Sequence, residues 1–170
     1  MVTLRFKKDS LIALCGASGS GKSFFARTCF APGQIVSSDQ CRQLICDDAA
    51  AQHVSADAFE LFYMIIGFRL KYGRLTVADA THLTSPYRRR LIDIAATHRR
   101  PIYLVLMEAT LAECLRHNTL RGRQVEDGVI AKQLDRFNEA KSTVAQEGDR
   151  YADVYELTPE QAGDVKIELE

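Results

Sequence analysis

The 170-residue sequence is 46% hydrophobic and 26% charged, with 22 acidic and 22 basic side chains, as expected for one globular domain with a hydrophobic core. No apolar stretch is long enough to span a membrane and the N-terminus lacks the apolar segment of a signal peptide, so we expect a cytoplasmic protein without a membrane partner. Five cysteines without a CxxC pair argue against both a disulfide framework and a zinc site.

Strand-like apolar runs alternate with helical patterns along the chain. The predicted strands cover residues 11–15, 34–37, 75–78, 102–107 and 153–157. A helix is predicted to begin near residue 24, and others cover residues near 39–46, 55–72, 85–98, 110–120 and 126–146. This alternation predicts an α/β fold of three layers, in which helices cover both faces of a central parallel sheet of four or five strands. Ligands of such sheets bind beyond the carboxyl ends of the strands.

The first predicted strand leads into a segment that matches the phosphate-binding pattern G-x-x-x-x-G-K-[ST]. The segment consists of Gly16, Ala17, Ser18, Gly19, Ser20, Gly21, Lys22 and Ser23. Glycines let the backbone approach an anion closely, and amides at a helix N-terminus can surround a β-phosphate. Lys22 is expected to reach the β- and γ-phosphates, and the Ser23 hydroxyl is placed for Mg²⁺. We therefore expect the chain to bind ATP or another nucleoside triphosphate.

Asp39 and Arg42 follow the second predicted strand. A carboxylate at that strand end can point towards the γ-phosphate, orient an acceptor hydroxyl and accept its proton. The guanidinium of Arg42, about one helical turn further on, can share the face of Asp39 and bind an acceptor that carries a phosphate. Alternatively, Asp39 caps the next helix and Arg42 is its surface partner.

Asp79 follows the third predicted strand. Its position resembles that of the Walker B carboxylate, which holds Mg²⁺ directly or through water. The alternative is an aspartate that serves only a turn or a helix cap. His82 lies nearby, but a lone histidine is weak evidence for catalysis.

Three arginines around a glycine follow the fourth predicted strand, namely Arg116, Arg121 and Arg123 with Gly122. Guanidiniums in this arrangement are typical of a mobile lid, which neutralises developing charge and closes the site against water. The alternative is an ordinary basic helix end, where cations interact favourably with the helix dipole.

Two further regions allow separate predictions. The region from Thr84 to Arg100 carries five arginines and one aspartate, so it either contacts a polyanion or forms a solvated helix face. The predicted helix 55–72 is rich in aromatic and aliphatic residues, which indicates core packing rather than a base-stacking surface.

The combination of GASGSGKS, SSDQCR, LTVADATH and R-x6-RQVEDGVI resembles the kinase module of bacterial polynucleotide kinase-phosphatases. These RNA-repair enzymes combine kinase, phosphatase and ligase modules in one chain. The resemblance extends over nearly all 170 residues, and SSDxxR is its most discriminating element. It implies a P-loop NTPase fold of the adenylate-kinase-like type with an arginine-bearing lid, in one domain over residues 1–170. We expect this domain to be one module of a longer repair protein that also contains phosphatase and ligase modules.

The resemblance also implies an activity, the transfer of the γ-phosphate of a nucleoside triphosphate to a 5′-hydroxyl end of RNA or DNA. Lys22 and Ser23 match the residues that bind the phosphates and the metal. Asp39 matches the general base, and Arg42 matches the arginine that holds the acceptor strand.

The lid residues are assigned by the same resemblance, which matches Arg116 and Arg123 to arginines that engage the donor phosphates. Leu120 and Gly122 stand where the family lid tends to have arginine and aspartate, and Arg121 is displaced by one position from the missing arginine.

Two other departures from the family lie outside the lid. Phe24 stands where a small hydroxyl residue is frequent, and His82 stands where asparagine is expected.

Two alternative functions remain open from the sequence. One is a small-molecule P-loop kinase of the gluconate or shikimate type, which requires a closed acceptor pocket. The other is a regulatory nucleotide-binding ATPase, whose acceptor is water alone.

Overall fold

The computed structural model describes residues 1–122 and 124–170, which form seven strands and six α-helices. The strands are β1 Val2–Phe6, β2 Leu11–Cys15, β3 Ile35–Ser37, β4 Thr76–Asp79, β5 Ile102–Met107, β6 Asp153–Leu157 and β7 Val165–Leu169. The helices are α1 Lys22–Cys29, α2 Ser38–Cys46, α3 Ser55–Lys71, α4 Ser85–Thr97, α5 Leu111–Thr119 and α6 Asp127–Glu147. Among the described residues, no helix is both long and apolar enough to cross a membrane.

Five parallel strands form the central sheet in the order β3-β4-β2-β5-β6. The sequence-based prediction of an α/β fold with such a sheet is therefore confirmed. Every residue of β2 and β5 is buried, because apolar side chains on both faces of these strands are covered. Leu11 and Ala13 face a core built with α3, α4 and α6, whereas Ile12 and Leu14 face the opposite core.

The second face of the sheet is covered by α1 and by a parallel pair of strands that the sequence analysis did not predict. Strands β1 and β7 pair with each other, starting at Val2 opposite Val165. Leu4 and Phe6 of β1 are buried against Phe25 of α1. The alternation of apolar and charged residues in VTLRF and VKIEL is typical of strands with one covered face.

The carboxyl ends of β2, β3 and β4 meet at one edge of the central sheet. Ser37 at the end of β3 lies opposite Asp79 at the end of β4, and Ala13 of β2 lies opposite Ala78. Strand β4 runs one residue further than predicted, so Asp79 is its last residue. This register brings the segment after β2, the start of α2 and Asp79 together.

The start of α2 tests whether Asp39 caps this helix. The cap of this helix is Ser37, whose hydroxyl accepts a hydrogen bond from the Gln40 amide at 3.4 Å. Asp39 lies inside the first turn instead, so the capping alternative is wrong. Helix α4 begins at Ser85, as predicted, and Thr84 is the residue that precedes it.

The basic region from Thr84 to Arg100 is largely engaged within the protein. Arg88 is only 1% exposed, and its Nε donates a hydrogen bond to Glu147 at 3.0 Å. Arg90 pairs with Glu60, and Arg100 pairs with Asp9. Three of the five arginines therefore form ion pairs within the chain. The pair of Arg90 and Glu60 is exposed, as the prediction of a solvated helix face allows, whereas the burial of Arg88 was not predicted.

Candidate active site

The phosphate-binding segment connects β2 to α1 at the carboxyl edge of the sheet. Gly19 and Gly21 adopt φ angles of 82° and 95°, a region that residues with side chains rarely occupy. A side chain on Gly19 would also overlap the backbone carbonyl of Cys114. The Gly16 amide donates to the Thr81 carbonyl at 3.0 Å, which attaches the segment to the loop after β4. Both glycines are therefore required by the shape of this loop.

Lys22 lies in the middle of the site and is 7% exposed. Its Nζ donates hydrogen bonds to the carbonyls of Gly16 at 2.9 Å and Ala17 at 2.7 Å. Burial lowers the pKa of Lys22, while the nearby charge of Asp79 acts in the opposite direction. The ammonium group is thus held inside the loop, where an arriving phosphate can replace the carbonyls.

Ser23 and Asp79 form a pair of oxygen-bearing side chains beside Lys22. The Ser23 hydroxyl donates to Oδ2 of Asp79 at 2.8 Å. Burial raises the pKa of Asp79, and the charge of Lys22 opposes this shift.

Hydroxyl and carboxylate oxygens suit Mg²⁺, which takes few protein ligands when phosphates complete its shell. The described residues contain no group of three or more His, Cys, Asp or Glu side chains that could hold a metal. The pair formed by Ser23 and Asp79 therefore fits a metal shared with a nucleotide rather than a cage made by the protein alone.

Asp39 and Arg42 lie together in α2, which begins directly after the strand residue Ser37 that is paired with Asp79. Nη1 of Arg42 donates to Oδ1 of Asp39 at 2.9 Å, and Nε of Arg42 donates to the Ser55 hydroxyl at 3.2 Å. The guanidinium also lies 5.8 Å from the centre of the Phe59 ring. The charge of Asp39 contributes to the raised pKa of Asp79, so the two carboxyl groups are close in space.

A cleft of about 360 Å³ opens beside Lys22, and Asp39 is not among its lining residues. Its lining residues are Gly19, Gly21, Lys22, Ser23, Phe24, Arg27, His117, Leu120, Arg121 and Pro159. Arg121 lines the cleft together with Lys22. Burial lowers the pKa of Lys22 and the charge of Arg121 adds to this shift, whereas burial raises the pKa of Asp79 and the charge of Arg121 opposes it. Arg116, near the end of α5, is exposed and lies outside this lining. Arg123 lies outside the described residues.

Two residues that the sequence analysis did not single out hold the phosphate-binding segment in place. Nδ1 of His117 donates to the Gly19 carbonyl at 2.8 Å. Oε1 of Gln133 accepts from the Ser18 amide at 2.8 Å. These partners are 98 and 115 residues apart in sequence, so no local pattern indicates them.

His82 is buried behind the phosphate-binding segment rather than exposed in the cleft. Its Nδ1 donates to the Leu14 carbonyl at 2.6 Å, and burial lowers its pKa to about 4. Its Nε2 has no hydrogen-bond partner among the described residues. The backbone at His82 has φ of 45°, a conformation in which histidine and asparagine are both enriched. The φ angle accounts for histidine where the family has asparagine.

Comparison with known families identifies the chain. The family described as AAA domain matches residues 11–140, well over half of the sequence. The chain belongs to this AAA-domain family. The match includes the phosphate-binding segment, Asp39 and Asp79.

Solved structures agree with the fold of this AAA-domain chain. A chain in the Pnkp1/Rnl/Hen1 RNA repair complex is similar with a TM-score of 0.69 and 18% identity. The match covers 81% of this chain and 47% of that chain, so the present sequence spans about half the length of that relative.

Two kinases are similar over nearly their whole length. The APS kinase CysC of Mycobacterium tuberculosis, solved with AMPPNP and APS, has a TM-score of 0.56 and 16% identity, with 94% of this chain and 96% of that chain covered. A gluconokinase of Sinorhizobium meliloti 1021 has a TM-score of 0.56 and 18% identity, with 94% and 90% covered. These likenesses show that the AAA-domain chain has a P-loop kinase fold, as predicted.

Proposed function

We propose that this AAA-domain chain transfers the γ-phosphate of ATP, or of another nucleoside triphosphate, to the 5′-hydroxyl end of an RNA or DNA strand. The observation that carries the proposal is the ion pair of Asp39 and Arg42, which lies beside Asp79 at the edge of the sheet that holds the phosphate-binding loop. A donor site alone would suit many nucleotide-binding proteins. A carboxylate and a guanidinium placed across from it add an acceptor side.

The donor phosphates are assigned to the loop from Gly16 to Ser23. In this assignment Lys22 exchanges its bonds to the Gly16 and Ala17 carbonyls for phosphate oxygens, which compensates for the loss of hydration on burial. Ser23 and Asp79 are the residues we assign to Mg²⁺, Asp79 through water, and the metal neutralises charge on the phosphates.

The donor side also receives cationic side chains from the α5 region. The resemblance to polynucleotide kinases assigns Arg116 and Arg123 to the donor phosphates. The cleft adds Arg121 to these residues, because its side chain lines the same cavity as Lys22 and its charge lies close enough to affect the pKa of Lys22. Such guanidiniums stabilise the negative charge that develops on the transferred phosphoryl group.

The acceptor hydroxyl is assigned to Asp39, which acts as general base. Nη1 of Arg42 holds this carboxylate in one orientation, so the reaction does not have to meet the entropy cost of orienting it. Nη2 of Arg42 makes no hydrogen bond within the described residues and is the group we assign to a phosphate of the acceptor strand. A strand with a phosphate next to its 5′-nucleoside provides such a partner, and a simple sugar does not.

An aromatic cluster beside Arg42 supports a polynucleotide acceptor. The rings of Phe59 and Tyr87 lie 5.1 Å apart, those of Phe59 and Tyr63 lie 5.9 Å apart, and Tyr87 is 45% exposed. Tyr63 belongs to the core and Phe59 packs against it, as the sequence analysis predicted for this helix, so Tyr87 is the ring of this cluster that is available for stacking on an unpaired base. The similarity to a chain of an RNA repair complex supports a role in nucleic-acid repair, beside phosphatase and ligase modules.

The test is the substitution Asp39→Asn, which keeps the shape of the side chain and removes its ability to accept a proton. Transfer from γ-labelled ATP to a 5′-hydroxyl oligonucleotide should fall by about 10²- to 10⁴-fold. Binding of ATP should be retained, because Asp39 lies outside the donor cleft. Asp93→Asn is the matched control, since Asp93 is an exposed residue of α4 that lines a different cleft with Pro101 and Ile102.

The same assay separates the alternatives. Gluconate in place of the oligonucleotide tests a small-molecule kinase, and phosphate release without any acceptor tests a regulatory ATPase. Full transfer activity in Asp39→Asn would remove Asp39 as the base. Labelling of gluconate in preference to the oligonucleotide would overturn the polynucleotide assignment.

A further inference from the structure

Phe24 presents an aromatic ring to solvent at the entrance of the donor cleft. The side chain is 53% exposed, although a large apolar residue next to a buried helix face would usually be covered. Its neighbour in the sequence, Phe25, is completely buried in the core. The exposure of Phe24 is therefore a feature of this one position on α1 and not of the whole helix.

The cleft is lined by both polar and apolar side chains, and Phe24 is one of the apolar ones. Lys22 and Ser23 supply polar groups, to which the donor phosphates are assigned. Phe24, Leu120 and Pro159 supply apolar surface to the same cavity. Because Phe24 directly follows Ser23, a nucleoside joined to phosphates at Lys22 lies within reach of the ring.

The ring is supported from the side by the segment after β6. A methyl group placed on Gly163 would already be in van der Waals contact with the ring, at 3.6 Å from Cε1. Pro159 of the same segment lies close to the phosphate-binding loop, 3.8 Å from the position that a methyl group on Gly21 would take. The aromatic surface is thus placed between two backbone elements rather than on a free loop.

The polar side chains that line the cleft are Lys22, Ser23, Arg27, His117 and Arg121. Among the described lining residues there is no Asp, Glu, Asn or Gln, so hydrogen bonds to a base edge from this lining come from cationic or imidazole donors. The aromatic ring of Phe24 adds a stacking surface, whose contribution depends on ring area.

We propose that Phe24 stacks on the nucleobase of the donor triphosphate, so that purine nucleoside triphosphates are bound more tightly than pyrimidine nucleoside triphosphates. The inference rests on the proposed donor role of the cleft and extends it to the choice of donor. It assigns a binding role to Phe24, which follows Lys22 and Ser23 at a position where the polynucleotide kinase family frequently has a small hydroxyl residue.

The first experiment uses the absence of tryptophan from the sequence. The variant Phe24→Trp carries a single tryptophan, whose fluorescence should be quenched by ATP and GTP and less strongly by CTP and UTP. Inorganic tripolyphosphate, which has phosphates and no base, should leave the fluorescence nearly unchanged. Phe68→Trp is the matched control, because Phe68 on α3 is 56% exposed and lies outside the cleft.

The second experiment removes the ring. Phe24→Ala should weaken ATP binding by about tenfold and leave tripolyphosphate binding within twofold of the wild type. Phe68→Ala should change neither value. Equal losses for ATP and tripolyphosphate would assign Phe24 a structural role and overturn the proposal, as would unchanged ATP binding. Equal binding of purine and pyrimidine triphosphates would overturn the expected order of the donors.

Both experiments measure binding of the donor without any acceptor. A failure of the polynucleotide assignment therefore leaves their outcome unchanged, and a failure of the stacking proposal leaves the acceptor assays unchanged.

Discussion

Replacing His82 with asparagine is expected to remove a loss of stability that the wild-type protein suffers on mild acidification. His82 is 2% exposed, and burial lowers its pKa from an ordinary value of 6.5 to about 4. A histidine of the unfolded chain binds its proton near pH 6.5. Between pH 7 and pH 5 the unfolded state therefore gains a proton that the folded state does not bind, so the free energy of unfolding falls as the pH falls.

The size of this effect follows from the two pKa values. A displacement of the pKa by one unit corresponds to about 1.4 kcal/mol, and most of the interval between the two values lies above pH 5. The contribution of His82 to the free energy of unfolding should therefore fall by about 2 kcal/mol between pH 7 and pH 5. His82→Asn keeps a residue type that tolerates positive φ and removes the titrating group.

The assay is urea unfolding followed by far-UV circular dichroism at pH 7 and pH 5 and constant ionic strength. The carboxyl groups titrate similarly in wild type and variant. The loss of unfolding free energy between pH 7 and pH 5 in the wild type, minus the same loss in His82→Asn, is therefore the contribution of His82. His53→Asn, an identical change at an exposed residue, should retain the pH dependence of the wild type. Losses in wild type and His82→Asn that agree within about 0.5 kcal/mol would refute the reasoning.

Two further predictions concern charged side chains. Glu147→Gln should lower the free energy of unfolding, measured by urea denaturation, by about 3 kcal/mol, because it leaves the buried guanidinium of Arg88 without its anionic partner. A loss below about 1 kcal/mol would show that the Thr143 hydroxyl and the His82 carbonyl are sufficient partners for Arg88. Arg121→Ala should lower kcat for phosphate transfer by about 100-fold, because the guanidinium lines the donor cleft. Arg116→Ala is its comparison, and a larger loss of kcat in Arg116→Ala than in Arg121→Ala would contradict the assignment of the inner position to Arg121.

Local patterns were sufficient where the chemistry depends on residues close together in sequence. The phosphate-binding segment is continuous, and its glycine spacing encodes the positive φ angles of Gly19 and Gly21. Asp39 and Arg42 are three residues apart, so helical geometry alone predicts their contact, and the structure has it at 2.9 Å. The sequence does not show which residue caps α2, because Ser37 and Asp39 are both of types that cap helices; the structure assigns the cap to Ser37.

Patterns were insufficient where a side chain acts on a distant part of the chain. The basic region around Arg88 looked like a surface that could contact a polyanion, and only packing revealed that Glu147, 59 residues away, buries this arginine. The small strands β1 and β7 lie at the two ends of the chain, so neither predicts its partner. The sequence does not distinguish Arg116 from Arg121, whereas in the structure Arg121 lines the cleft and Arg116 is exposed outside it.

The sequence by itself determined the order of the five central strands and the helices that alternate with them, the phosphate-binding segment and the contact between Asp39 and Arg42, because these follow from hydrophobic periodicity and from short motifs. The tertiary structure alone decided which distant residues hold that loop, namely His117 and Gln133, and which aromatic ring lines the cleft. Those contacts depend on how the elements pack, and packing brings together residues whose separation along the chain carries no signal.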